Sequence, residues 1–126
     1  MKKTGTMWGL CVAMGLSTAS FAGAKSSQPI YVDNVNRAFS GSMGSVRNSS
    51  DTTQSLYCSS SSAGYGSCIA TNASGVSVSC LTTNANLLAV IRSVNSDSYV
   101  QVTYDSTGNC TSILVGTGSN HEPKQP

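Results

Sequence analysis

The stretch Cys68-Ile69-Ala70-Thr71-Asn72-Ala73-Ser74-Gly75-Val76-Ser77-Val78-Ser79-Cys80 decides the fold. Two alternating runs flank Asn72-Ala73-Ser74-Gly75, and asparagine first with glycine fourth suits a type I turn closed by a left-handed glycine bulge. Setting Asn72 opposite Val76 places Ala70 opposite Val78 and Cys68 opposite Cys80, all on one apolar face. Ile69, Thr71, Ser77 and Ser79 point the other way, as an exposed sheet face would.

Downstream, Leu87, Leu88, Val90, Ile91 and Val94 fall on the stripe of an amphipathic helix between Asn84 and Asn95. Thr83 or Asn84 can cap its start. Arg92 should face solvent. A second hairpin is expected from Ser98 through Tyr104, across Asp105-Ser106-Thr107-Gly108, and back through Cys110 to Gly116. Its turn repeats the chemistry of the first and predicts Tyr104 opposite Cys110, Val102 opposite Ser112 and Val100 opposite Leu114. The flanks do not repeat, so the two turns share chemistry without an internal duplication.

Upstream the signals are weaker. Ile30, Val32, Val35 and Phe39 read as one weak strand, Ser40 to Asp51 as a bend, Ser55 to Cys58 as a strand, and Ser59 to Gly66 as a serine loop that exposes Tyr65 between two glycines. The fold class expected is α+β: an antiparallel β-sheet of about five or six short strands with one helix packed on one face, stapled by disulfides.

The amino terminus supplies the cellular context. Met1-Lys2-Lys3, an apolar run from Met7 to Leu16 and the small residues of Ser20-Phe21-Ala22 form a secretion signal over 1–22, with Cys11 discarded inside it. The run is short of the roughly 20 residues that cross a bilayer, and none of spanning length follows, so stable membrane insertion is not expected. The divisions expected are a signal peptide at 1–22, a flexible segment at 23–29, one domain at 30–118 and a polar, frayed tail at 119–126. Export leads to the secreted fraction, the extracellular surface or the periplasm.

An oxidising destination turns Cys58, Cys68, Cys80 and Cys110 into a disulfide framework. They lie ten, twelve and thirty residues apart, so no CxxC unit exists for zinc or thiol exchange. The preferred pairing joins Cys58 to Cys68 and Cys80 to Cys110; the rival joins Cys68 to Cys80 across the hairpin. Serine makes up about a fifth of the exported chain, which dilutes the core, and the bridges compensate.

The chain's net charge of +2 includes Lys2 and Lys3. Without them, Lys25, Arg37, Arg47, Arg92 and Lys124 balance Asp33, Asp51, Asp97, Asp105 and Glu122. Neutrality without a basic cluster leaves no footprint for nucleic acid or anionic lipid, and it weakens repulsion between copies.

No catalytic set emerges. The histidine, His121, sits in the polar tail, no serine stands in a nucleophile elbow, and no carboxylates are paired for glycosidase work. Asp97, Asp105 and Asn109 lack the alternating acidic run of a calcium loop, and the turn accounts for Asp105 and Asn109. No enzyme activity, cofactor or metal is therefore expected. The candidate partner contacts are Tyr65, Tyr31 and Phe39, with Tyr65 as a recognition anchor.

Arg47-Asn48-Ser49-Ser50-Asp51 through Cys58, and Asp97-Ser98-Tyr99 through Asp105 to Cys110, resemble small exported four-cysteine bacterial proteins that carry no assigned activity. The resemblance implies export and the cysteine frame but no function. The expected function is that of a secreted, non-enzymatic structural or self-associating protein, a surface fibre or matrix subunit linked through the arm Ile30 to Phe39. The alternative is a monomeric binding module, such as an enzyme inhibitor or carbohydrate binder. Partners are then copies of itself, another extracellular protein or a glycan.

Overall fold

The computed structural model describes residues 23–123, so the expected signal peptide at 1–22 lies outside the described residues. In chain order the elements are β1 (Tyr31–Asp33), β2 (Ala38–Ser42), α1 (Met43–Arg47), β3 (Ser55–Ser60), β4 (Gly66–Thr71), β5 (Ser77–Thr82), α2 (Ala85–Arg92), β6 (Ser98–Tyr104) and β7 (Cys110–Thr117). The antiparallel character is as expected, but one sheet of five or six strands is corrected to seven strands in two sheets, ordered β1-β2-β6-β7 and β3-β4-β5. The sheets meet where β5 touches the start of β7, through a parallel bridge between Leu81 and Asn109 and the bond from the Leu81 amide to the Gly108 carbonyl, 2.9 Å.

Both sheets contribute to one apolar core. Phe39, Val100, Val102 and Ile113 come from the first, Cys68, Ala70 and Cys80 from the second, and Ile91 from α2. Gly66 marks the approach of α2: a Cβ there would lie 2.7 Å from Leu88 Cδ2 and 2.6 Å from the Ser59 carbonyl oxygen. Asn84 caps this helix by accepting from the Asn86 and Leu87 amides, as a short polar side chain at that position can.

The first hairpin has the register expected, with Cys68 opposite Cys80. Gly75 and Gly108 adopt φ of 85° and 86°, the left-handed conformation that glycine reaches without steric cost. Asn72 Oδ1 accepts from the Ser74 and Val76 amides, and Asp105 Oδ1 likewise from Thr107 and Asn109.

The second hairpin corrects its expected register. Tyr104 does face Cys110, but Thr103 faces Ser112, so Thr111 is an extra residue on β7. A bulge of one residue reverses the faces of everything beyond it. Ile113 and Val115 therefore face Val102 and Val100, and Leu114 turns outward, 54% exposed.

The amino-terminal half departs further. Ile30 to Phe39 is a hairpin and not one strand: Asp33 Oδ1 accepts from the Val35 and Asn36 amides, the chain reverses, and β2 pairs with β6 inside the sheet. Ser40 to Asp51, expected as a bend, holds the end of β2 and the short helix α1, whose Gly44, Ser45 and Val46 are buried.

The described residues of the two terminal segments, 23–29 and 119–123, meet each other and α1. The Ser26 amide bonds to the Asn120 carbonyl at 2.8 Å, Ser26 bridges His121, and the Gln28 amide donates to Ser45 Oγ. Gly44 lies directly against the Glu122 carbonyl, where a Cβ would not fit.

The disulfides join Cys58 to Cys68 and Cys80 to Cys110. The ladder explains why Cys68 turns to Cys58. The bond from the Ser61 amide to the Tyr65 carbonyl fixes that pair as hydrogen-bonded, which makes Cys58 and Cys68, three steps along, a non-hydrogen-bonded pair. Such pairs are the closer ones, and the Cα separation is 4.1 Å. On its other side Cys68 faces Cys80 in a wider hydrogen-bonded pair, leaving Cys80 to reach Cys110 and clamp the two sheets together.

Candidate functional site

The outer face of β3-β4-β5 gathers four of the eight large apolar side chains left in solvent among the described residues. Alternation from Ile69 places Ser67 and Tyr65 on its side of β4; across the ladder, Tyr57 and Ser79 face Ile69, and Ser59 and Leu81 face Ser67. Tyr57, Tyr65, Ile69 and Leu81 thus form a diagonal stripe, exposed by 59%, 54%, 39% and 62%. Tyr65 and Leu81 border a depression that also involves Thr83 and Asn109. Contiguous exposed apolar surface of this kind marks interaction sites.

The polar groups around the stripe are partly satisfied by one another. Ser59 Oγ lies 3.2 Å from Ser67 Oγ, and Thr71 Oγ1 lies 2.7 Å from Ser77 Oγ. Hydroxyls that already share a hydrogen bond lose less when water is excluded than unpaired ones do. The face also carries no charge: from Thr52 to Ile91 the chain contains no Asp, Glu, Lys, Arg or His. That run was visible in the sequence as a gap in charge, yet reading charge as a chain-wide balance passes over it.

The residues singled out from sequence scatter. Tyr65 is exposed in the connection between β3 and β4, next to the outer face of their sheet. Tyr31 is exposed on the other sheet. Phe39 is corrected: it is 1% exposed, packs 6.1 Å from the Tyr104 ring and has no surface to offer. Its position on β2, opposite Val102, directs it into the core.

His121 does not lie in solvent either. Its ring stacks on Tyr99 with centroids 5.9 Å apart, and Nδ1 is 3.4 Å from Ser42 Oγ. These two contacts tie the terminal segment to β2 and β6.

The carboxylates serve turns. Asp105 is lowered to about 2, first by the Asn109 amide and then by the Thr107 hydroxyl. Asp51 is also lowered to about 2, chiefly by the Gln54 side chain and then its amide, and Gln54 Oε1 in turn accepts from the Ile30 amide at 2.9 Å. Asp33 is held below its ordinary value mainly by the Asn36 amide. Among the described residues no His, Cys, Asp and Glu side chains group as metal ligands, and no helix is long and apolar enough to cross a membrane.

No protein-family model matches the chain, and no curated protein or solved structure matches it.

Proposed function

We propose that the chain is an exported, non-enzymatic extracellular protein that associates with copies of itself, as a surface fibre or matrix subunit does. One observation carries this reading: the uncharged outer face of β3-β4-β5, striped by Tyr57, Tyr65, Ile69 and Leu81. Copies meeting there bring no like charges together and cover apolar area worth about 25 cal/mol per Å². The bordering strand supports the same reading. β3 is the end of its sheet, runs in regular register from Ser55 to Ser60, and carries no charge, proline or bulge, the usual devices that prevent edge pairing. The two disulfides suit an oxidising destination outside the cytoplasm.

The linking element differs from the one expected on sequence. Ile30 to Phe39 pairs within its own sheet, and β1 is an edge of only three residues. The contact is assigned instead to the β3-β4-β5 face.

Light scattering behind size exclusion, on the oxidised protein over a hundredfold range of concentration, tests the reading. Mass that rises with concentration, with ordered particles in electron micrographs, is the result expected. A monomer throughout the range would overturn it in favour of a monomeric binding module.

A further inference from the structure

The opposite surface holds a second feature that self-association leaves unused. On the outer face of β1-β2-β6-β7, a groove of about 250 Å³ runs between Tyr31 and Tyr99. Its floor is made by the small residues Ala38 and Ser40 of β2, and its walls by Tyr31 and Asp33 of β1 and by Tyr99 and Gln101 of β6. The register builds it: Ser40 faces Tyr31 on one side and Gln101 on the other, so small side chains in the middle strand separate larger ones on both flanks. With strands about 4.8 Å apart and Tyr99 two residues along from Gln101, the two tyrosines stand about 12 Å apart, diagonally across the sheet.

We propose that this groove binds a neutral saccharide chain. The ring of Tyr99 is already ordered by its stacking on His121, and its hydroxyl lies 3.4 Å from Gln101 Oε1. That wall is in place before a ligand arrives, which lowers the entropic cost of binding. Tyrosines offer flat apolar surface with a polar tip, matching a sugar ring whose faces are apolar and whose rim is hydroxylated. Gln101 and Ser40 add hydrogen-bonding groups between the rings.

Charge narrows the ligand class. Asp33 is the one residue lining the groove that is charged at neutral pH, and its oxygens already accept from the Val35 and Asn36 amides and from Asn36 Nδ2. No cation lines the groove to hold an acidic sugar or a phosphate. A peptide adding as a strand is disfavoured as well, because the groove lies on the face of the sheet and the edge strand beside it, β1, is only three residues long.

Titration calorimetry with chitotetraose, cellotetraose, maltotetraose and the acidic tetragalacturonate tests the inference, whether or not the protein is assembled. Saturable binding of at least one neutral tetrasaccharide is expected, weakened at least tenfold by Tyr31→Ala and by Gln101→Ala. Leu114→Ala, on the same face beyond the groove, should leave that affinity unchanged. The inference is overturned if no neutral saccharide binds, if only the acidic one does, or if both groove variants bind as the parent does.

Discussion

Removing the two disulfides in turn should destabilise the protein unequally. Cys80 and Cys110 close a loop of 30 residues and join the two sheets, whereas Cys58 and Cys68 close one of 10 between strands already paired by a ladder. Loop-closure entropy gives about 3.7 kcal/mol for a separation of 30 and about 2.7 kcal/mol for one of 10. Burial acts in the same direction, since both Cys80 and Cys110 are buried while Cys58 is only partly so. Against a total stability of about 5–15 kcal/mol, either loss is large. Urea unfolding of Cys58→Ala/Cys68→Ala and of Cys80→Ala/Cys110→Ala should therefore order the extrapolated stabilities as parent, then the first variant, then the second, with about 1 kcal/mol between the variants. The m-value should rise in both as the unfolded chain expands. Equal losses, or a larger loss from the Cys58 pair, would refute the assignment of Cys80–Cys110 as the clamp between sheets.

Gly66→Ala should cost about 1–3 kcal/mol in the same assay, because the new methyl meets the Ser59 carbonyl and Leu88 with little room to give; an unchanged midpoint would contradict the close approach of α2 to β4. Gly44→Ala should release the terminal segment from α1 without unfolding the sheets, read as faster amide exchange at Ser26, whose N–H donates to the Asn120 carbonyl; unchanged protection there would contradict the docking. Acid should weaken the fold over a defined window. Asp51 and Asp105 have folded values of about 2, below the unfolded value of about 3.9, so their contribution is complete above about pH 4 and is lost as pH falls toward 2. Asp105→Asn keeps the turn acceptor, as Asn72 does in the equivalent position, and should lose less stability between pH 5 and pH 2 than the parent; an equal loss would contradict the role given to this carboxylate.

The parts legible in the sequence are those fixed by local chemistry. Asn72-Ala73-Ser74-Gly75 determines both a turn and a register, because few residues other than glycine take the left-handed position. The stripe around Leu88 and Ile91 likewise specifies a helix before any packing is known. What escaped depends on partners distant in the chain. Thr111 as an extra residue becomes apparent only when Ile113 and Val115 must both face the core, and the sequence around it gives no sign of a bulge. α1 escaped because Met43-Gly44-Ser45-Val46-Arg47 has poor intrinsic helix propensity, and burial of Val46 together with the terminal segment over Gly44 holds it. Asp33 to Arg37 escaped for a different reason: Arg37, at φ 53°, takes a conformation that signals a turn when glycine occupies it and signals nothing when arginine does. The candidate surface was legible at Tyr65 and at Ile69, which alternation placed on the exposed face, but not at Tyr57 and Leu81, which come from neighbouring strands.

Leu81 and Leu114 provide a matched pair for the central claim, because each is an exposed leucine, 62% and 54%, on the outer face of a different sheet. Light scattering of Leu81→Glu and Leu114→Glu, each beside the parent at the same concentration, is the most direct measurement. Self-association through the β3-β4-β5 face predicts that Leu81→Glu lowers the mass to that of the monomer while Leu114→Glu assembles as the parent does. Assembly that survives Leu81→Glu, or that fails with Leu114→Glu alone, would contradict it.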